Sequence, residues 1–457
     1  MNIFRKKSIE ALIASSQKNS FKKTLSAFDL VMIGIGCTIG TGIFVVTGIA
    51  SALHAGPAIA ISYLIAAIAC LFAALAYAEI ASMVPVSGSA YTYTFVVVGE
   101  FIAWLVGWGL VLEYGIGASA VANGWSGYVV GILHSLGIDL PELYTKPTTQ
   151  GGIINLPATL IVSLIGLMLY FGTKQGVKFN RFLVFIKLAV IFIFLVVATP
   201  MIKSANYANF MPFGMAGVLA GSAAIFYAYI GFDAVATTAE ECKNPKRDLP
   251  IGIIASLAVC ALLYALVALV LNGIVNFSTL NNPEPLARAL RENDSNIGSA
   301  LVSTGAIAGI TSVLLVLLYG QSRIFFVMSR DGLLPKKLSQ IHDKFQTPHV
   351  SVLLTSLLVG VIAGVFSLET LSEMTSIGTL FGFIVVAIAV MILRIKQPNL
   401  KRNFRCPAVF VTAPLAVLSC GYLTFELLTR NWHYFAIWMV LGVLIYVLYG
   451  YRKSTIK

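Results

Sequence analysis

Residues Gly34 to Phe44 read GIGCTIGTGIF. A glycine costs roughly 1 kcal/mol against alanine in a helix interior, so Gly34, Gly36, Gly40 and Gly42 weaken any helix that crosses a membrane here. An opened helix frees backbone N–H and C=O groups, and lipid offers them no partner. The opening is tolerable where it lines a cavity and a solute replaces the lost bonds. The N–H groups that start the second segment favour a carboxylate, and the C=O groups that end the first favour an ammonium. A zwitterionic amino acid carries both. The same glycines also suit a helix-packing face of the small-xxx-small type. The number of glycines, and a matching break later in the chain, favour the open helix.

That later break lies in Ile225 to Glu241, IFYAYIGFDAVATTAEE, with Gly231 in mid-run followed by Asp233, Thr237 and Thr238. Asp233 either faces the pocket or caps the second half-helix. Lys187 stands about eight residues into an apolar run that starts near Phe179. A charge at that depth is expensive and usually marks function. It is read as a proton-coupling group, with a purely structural ammonium and snorkelling to the interface as the alternatives. Glu113 interrupts another apolar run. It could attract a cationic substrate side chain, join a proton path, or be hydrogen-bonded to Tyr114 or to backbone inside the bundle. Arg323 with Glu240 or Glu241 could form a gate that pairs and separates, or simply anchor loops.

The remaining reactive residues point away from catalysis. The six cysteines form no CxxC and the five histidines sit in loops or at run ends. Disulfides, a metal cluster and a histidine role are therefore not expected. No nucleophile–base pair or ligand set appears, which disfavours an enzyme. No cofactor or metal is expected.

The elements that must position these residues follow from composition. Of 457 residues, 58% are hydrophobic and 11% charged, against about 25% charged in a soluble domain. Twelve apolar runs of about 18 or more residues are centred near 39, 69, 110, 164, 191, 226, 262, 314, 357, 383, 418 and 442. Each can cross a hydrocarbon core about 30 Å thick, so an all-α integral membrane protein of 12 transmembrane helices is expected. Residues 1–24 are polar and basic, read as a cytoplasmic arm in which Ser8 to Lys18 could lie as an amphipathic helix on lipid. No cleavable signal is evident. Asp29 is placed to cap the first span, and Pro, Ser and Gly in Val84 to Tyr93 break the chain after the second. Residues 137–155 read as a polar outer loop, and 275–297 as a short helix over the mouth.

The net charge of +12 could suggest nucleic acid, but its distribution reports topology. If the spans alternate, 24 of the 31 Lys and Arg fall on the N-terminal side and five on the other. Both termini are then cytoplasmic. The broken runs are the first and the sixth; five spans per unit make the sixth the counterpart of the first, and an odd number inverts the second unit relative to the first. That is the inverted-repeat plan of many secondary transporters, with the site where the broken helices meet. The units expected are 25–205 and 206–396, followed by 397–457.

GIGCTIGTGIF, YAEIASMVPVSGSAYTY, IGFDAVATTAEECKNPKRDLP and LLYGQSRIFFVMSRDGLLP together resemble the amino acid–polyamine–organocation superfamily over about residues 20–450. The nearest group is the bacterial relatives of cationic amino acid transporters, which include branched-chain permeases. The resemblance implies a five-plus-five inverted repeat of the LeuT type with two C-terminal helices. It implies that amides of Gly40, Thr41 and Gly42 meet the substrate carboxylate. Carbonyls of Ile39, Tyr227, Ala228 and Ile230 meet its amino group. The side-chain pocket draws on Glu113, Phe226, Phe232, Asp233 and Leu317, with Phe226 or Phe232 as a gate or as packing. Lys187 takes the place where sodium-coupled relatives bind sodium, bridging the first break and the eighth span.

The function expected is a proton-coupled importer of cationic, small or branched neutral amino acids, working by alternating access in the plasma membrane. An exchanger without net proton flow is the alternative. A channel would show a continuous polar stripe, and a sensor a sizeable soluble domain. The partners expected are amino acid, protons and lipid, with no nucleic acid; no residue names a small membrane partner.

Overall fold

The computed structural model describes residues 5–6, 23–84, 89–172 and 177–454, with side chains from 181 onward in the last stretch. The expected arm helix Ser8 to Lys18 and residues 85–88 of the second-span break lie outside the described residues. The described chain is helical, with one isolated bridge between Leu25 and Cys242. Eight helical stretches among the described residues are long and apolar enough to cross a membrane, and three apolar helices are shorter.

The difference from twelve runs has local causes. The first run is divided: α1 (Ala27–Thr38) ends at the glycine break, and π and α turns continue from Gly42 to Ala55 before α2 (Ile59–Met83). The runs near 164 and 357 form α6 (Leu156–Phe171) and α12 (His349–Val365), of 16 and 17 residues. The last two runs share α14 (Val409–Ile445), bent where Asn431 leaves helical geometry at φ −122° and ψ 18°.

The other elements are α3 (Ser89–Val97), α4 (Glu100–Val111), a π turn at Leu112–Ile116, α5 (Gly117–Ser135), α7 (Val177–Ala198), α8 (Gly214–Ile225), α9 (Pro245–Ile274), α10 (Pro285–Arg291), α11 (Asn296–Arg330) and α13 (Leu368–Lys396). α9 packs along α2 and α1, α11 lies between α5 and α7, and α13 runs against α14 and α2. The helix expected between 275 and 297 is α10. The outer loop 137–155 contains two short 3-10 turns, at Glu142–Tyr144 and Thr148–Gln150.

Ser26, not Asp29, caps α1. Asp29 is the third residue of a capping box, its carboxylate accepting from the Ser26 amide at 3.0 Å and from the Ser26 hydroxyl at 2.7 Å. A carboxylate at that position closes the box rather than opening the helix. It also pairs with Arg181 of α7. The entry to α1 is tied to the end of the second broken helix, since Thr24 and Leu25 amides donate to the Glu241 carbonyl and the Lys243 amide donates to Leu25. The two broken helices therefore share one anchored end.

At the same end, Glu79 of α2 is fully buried. Its carboxylate accepts from Arg394 of α13 at 2.8 and 2.7 Å, from Arg402 at 3.1 Å and from the Cys406 amide at 2.7 Å. A buried carboxylate is tolerable when its lone pairs are satisfied in this way.

Candidate functional site

The site begins where α1 stops. Ile39 is extended, at φ −77° and ψ 104°, which ends the i to i−4 ladder and leaves the last carbonyls of α1 in need of donors. The Ile39 amide takes Ile35 at 2.9 Å, Lys187 Nζ donates to the Gly36 carbonyl at 2.6 Å, and the Tyr264 hydroxyl donates to Thr38 at 2.9 Å. The next segment starts at Thr41 and Gly42, whose amides head a helical turn and have no intrahelical acceptor. A cation at a helix C-terminus is stabilised by the half-negative end of the dipole, and Lys187 takes that position.

The second break is sharper. Ile230 is extended and Gly231 has φ +120°, a conformation that favours glycine. A ten-residue 3-10 stretch, Phe232–Glu241, follows. Runs of that length are uncommon and mark hinges or strained sequence. The two breaks press together. A Cβ on Gly42 would overlap the Ala228 backbone, and one on Gly231 would lie 2.8 Å from the Cys37 carbonyl carbon. Glycine is needed at both positions for the two chains to approach.

Between the breaks is a cavity of about 40 Å³, room for roughly three water-sized units. Gly40, Thr41, Gly42, Glu113, Tyr227, Ile230 and Leu317 line it, together with Cys37, Thr38, Tyr114 and Thr375 among others. Thr41 and Tyr227 share a hydrogen bond of 3.1 Å across the two broken helices, and the Tyr227 hydroxyl reaches the Gly117 carbonyl at 3.4 Å.

Five of the expected site residues do not line it. Ile39 is buried, and Ala228 abuts Gly42. Phe226 and Phe232 lie against Phe383, with ring centres 6.1 and 5.1 Å away. This corrects their reading as pocket wall and fits the packing alternative. Three residues per turn put positions i and i+3 on one face, so Tyr227 with Ile230, and Gly231 with Ala234, face the cavity while Phe226 and Phe232 face away. Asp233 is off the cavity face for the same reason. Its carboxylate takes backbone hydrogen bonds at Gly231, Asp233 and Ala234, and its Oδ1 has no partner among the described residues. Asp233 thus lies in the first turn after the N-cap Gly231 and does not line the cavity.

Glu113 sits in the π turn Leu112–Ile116, buried, and hydrogen-bonds Thr379. Lys187 is fully buried, which removes the snorkelling reading. Its stem lies over Gly309 of α11, so the side chain joins α7, α1 and α11. The Arg323 guanidinium lies over its own helix's Tyr319 ring, 4.8 Å from the centre. No ion pair within 4.0 Å joins Arg323 to Glu241 among the described residues.

The hydroxyls of Tyr227 and Tyr264 were missed as bonding groups. Tyrosines inside apolar runs are the available signal, because a buried hydroxyl requires a partner. Cys37, Thr38 and Thr375 carry no such signal and are brought to the cavity only by packing.

An amino acid permease family model matches residues 25–449. The chain is 44% identical over 458 residues to the methylthioribose transporter of Bacillus subtilis (strain 168), covering 100% of this chain and 99% of that one. It is likewise 44% identical over 462 residues to the branched-chain amino acid permease BcaP of the same organism, with the same coverage. It is 38% identical over 408 residues to the vacuolar cationic amino acid transporter 4 of Arabidopsis thaliana, covering 87% of this chain and 68% of that protein.

Proposed function

The chain belongs to the amino acid permease family, and from that membership we propose that it imports amino acids across the plasma membrane, coupled to protons, by alternating access. The two repeats are 25–205 and 206–396, with 397–457 added, and both termini are cytoplasmic. The observation that carries the reading is one cavity bounded by both helix breaks. Amides of Gly40, Thr41 and Gly42 serve the carboxylate, and carbonyls near Ile39 and Tyr227 to Ile230 serve the amino group. Two oppositely charged groups on one small carbon fit a cavity with donors on one rim and acceptors on the other.

The cavity volume favours a small substrate. Leu317 supplies an apolar wall for a branched side chain, and Glu113 a polar wall for a cationic one. Lys187 is the coupling group in this proposal. Its ammonium is held by a carbonyl, which has no charge of its own, so loss or gain of a proton is not opposed by a fixed ion pair. It also touches both α1 and α11, so its protonation would be felt on two sides of the site.

The carbonyl bond also favours a second reading. An ammonium that only caps α1 need not titrate, and an exchanger without net proton flow would be served equally well.

The deciding experiment is uptake into proteoliposomes under an imposed inward proton gradient, with labelled alanine, valine, lysine, arginine and methylthioribose, for the parent and Lys187→Ala. Methylthioribose belongs in the panel because the two Bacillus relatives named for different solutes are equally similar to this chain. Gradient-driven accumulation lost in Lys187→Ala, with counterflow kept, is expected. Accumulation unaffected by the substitution would sink the coupling role, and uptake only against internal amino acid would establish exchange.

A further inference from the structure

At the end of the first traverse remote from the N-terminus, three elements meet through charged side chains. His54 lies in the π turn Ser51–Ala55, Glu369 and Glu373 in the first turns of α13, and Arg430 in α14 one residue before its bend. Arg430 Nη1 donates to Glu373 Oε1 at 2.9 Å and lies 3.2 Å from His54 Nε2. The Asn431 side-chain amide donates to the other Glu373 oxygen. Donor atoms of His54, Glu369 and Glu373 lie within 4.8 Å of one another. The guanidinium supplies the positive charge that such a group of ligands would otherwise take from a metal ion.

Beneath this cluster is a second cavity of about 10 Å³, lined by Val46, Ala50, His54, Glu369 and Glu373 among others. Val46 closes the π turn that starts at Gly42, and Gly42 lines the main cavity. The cluster thus sits on the same segment as the site, about 18 Å further along at 1.5 Å per residue.

The two ends of the molecule are held differently. At the N-terminal end Glu79 is fully buried, and it binds two arginines and an amide. At the remote end the side chain of Arg430 is 31% exposed and makes one bond to Glu373. Both carboxylates are buried, but Glu373 has one arginine, whose 31% exposed side chain water can reach, where Glu79 has two. Of these two clusters, the one at Glu373 is the more readily released.

We propose that Arg430 is a positioning residue that latches the segment Gly42–Ala55 to α13 and α14, and that its release opens the main cavity to the face remote from the N-terminus. The proposal rests on the reading of the chain as an alternating-access carrier. In the latched state Arg430 spans Glu373 and His54, so the segment cannot tilt away from α13 without breaking that contact. With the bond broken, Asn431 still holds Glu373 to α14, and the segment loses this tie to α13 and α14 while Ser51 stays bonded to Asn272 and Thr47 to Tyr63.

Cys37 provides an internal reporter. It lines the main cavity, and the other five cysteines are buried. A membrane-impermeant maleimide would be applied to the remote face of the full-length protein in sealed vesicles of one orientation. Arg430→Gln and Glu373→Gln should each speed labelling several-fold, and Arg430→Lys should stay near the parent. Cys37→Ser in the Arg430→Gln background should abolish the label, assigning it to the cavity. Parental labelling rates in both glutamine variants would overturn the latch. Should Arg430→Gln fail to reach the membrane, Glu373→Gln decides alone, since it keeps a hydrogen-bonding side chain of the same shape. Labelling needs no transported substrate, so a failed uptake assay would count against the carrier reading and leave this outcome readable.

Discussion

At the scale of single residues, the site is built from backbone, and glycine decides how closely its two halves approach. Gly42 and Gly40 make a contrast. A Cβ at Gly42 would strike the Ala228 backbone, which cannot yield, whereas one at Gly40 would meet only the Val313 side chain at 3.1 Å. Overpacking a tight contact costs about 1–3 kcal/mol. Gly42→Ala should therefore reduce uptake by at least tenfold and lower the melting temperature in detergent, with Gly40→Ala clearly milder in both. Equal effects of the two would show that approach to Ala228 is not what limits the site. Gly42 is conspicuous in the sequence, but the atom it must avoid is nearly 190 residues away, and no local pattern names it. The same holds for Asp233, whose side chain turns to backbone because a 3-10 turn, not an α turn, follows Gly231.

At the scale of elements, the anchored end holds α2, α13 and the chain after it together through Glu79. In the sequence Glu79 is only an acid at the end of an apolar run. Its partners, Arg394 and Arg402, lie more than 300 residues on. Removing one member of a buried ion pair typically costs about 3–5 kcal/mol, because the other charge is left uncompensated. Glu79→Ala should thus unfold at a markedly lower temperature in detergent, by more than Arg394→Ala, since Arg394 is partly exposed and Arg402 would still hold the carboxylate. A melting temperature within a degree or two of the parent would mean that water replaces the pair without cost. The helix breaks themselves were legible as elements: glycine clusters in apolar runs locate them to within a few residues. The turn types were not, because π and 3-10 geometry is imposed by what packs against the segment.

At the scale of the whole molecule, the distribution of basic residues orients the chain. From the excess of Lys and Arg on the N-terminal side of alternating spans we propose that both termini are cytoplasmic. A fluorescent protein fused after residue 457 should fold and fluoresce in cells, and alkaline phosphatase at the same place should stay inactive. The reverse pair of results would overturn the assigned orientation. That α14 carries two apolar runs across a bend at Asn431, with Asn431 itself bonded to Glu373, ties this last stretch to the remote end of α13.

The sequence by itself determined that the protein is helical and lies in a membrane, because hydrocarbon demands long apolar runs whose polar backbone is satisfied internally. It also determined where two of those runs fail, because glycine and small polar residues weaken a helix locally. The tertiary structure alone decided which side chains face the cavity, that Lys187 completes the end of α1, and that Phe226 and Phe232 pack on Phe383. Those outcomes depend on contacts between segments far apart in the chain, and on the rotation per residue that each break adopts once its neighbours are in place.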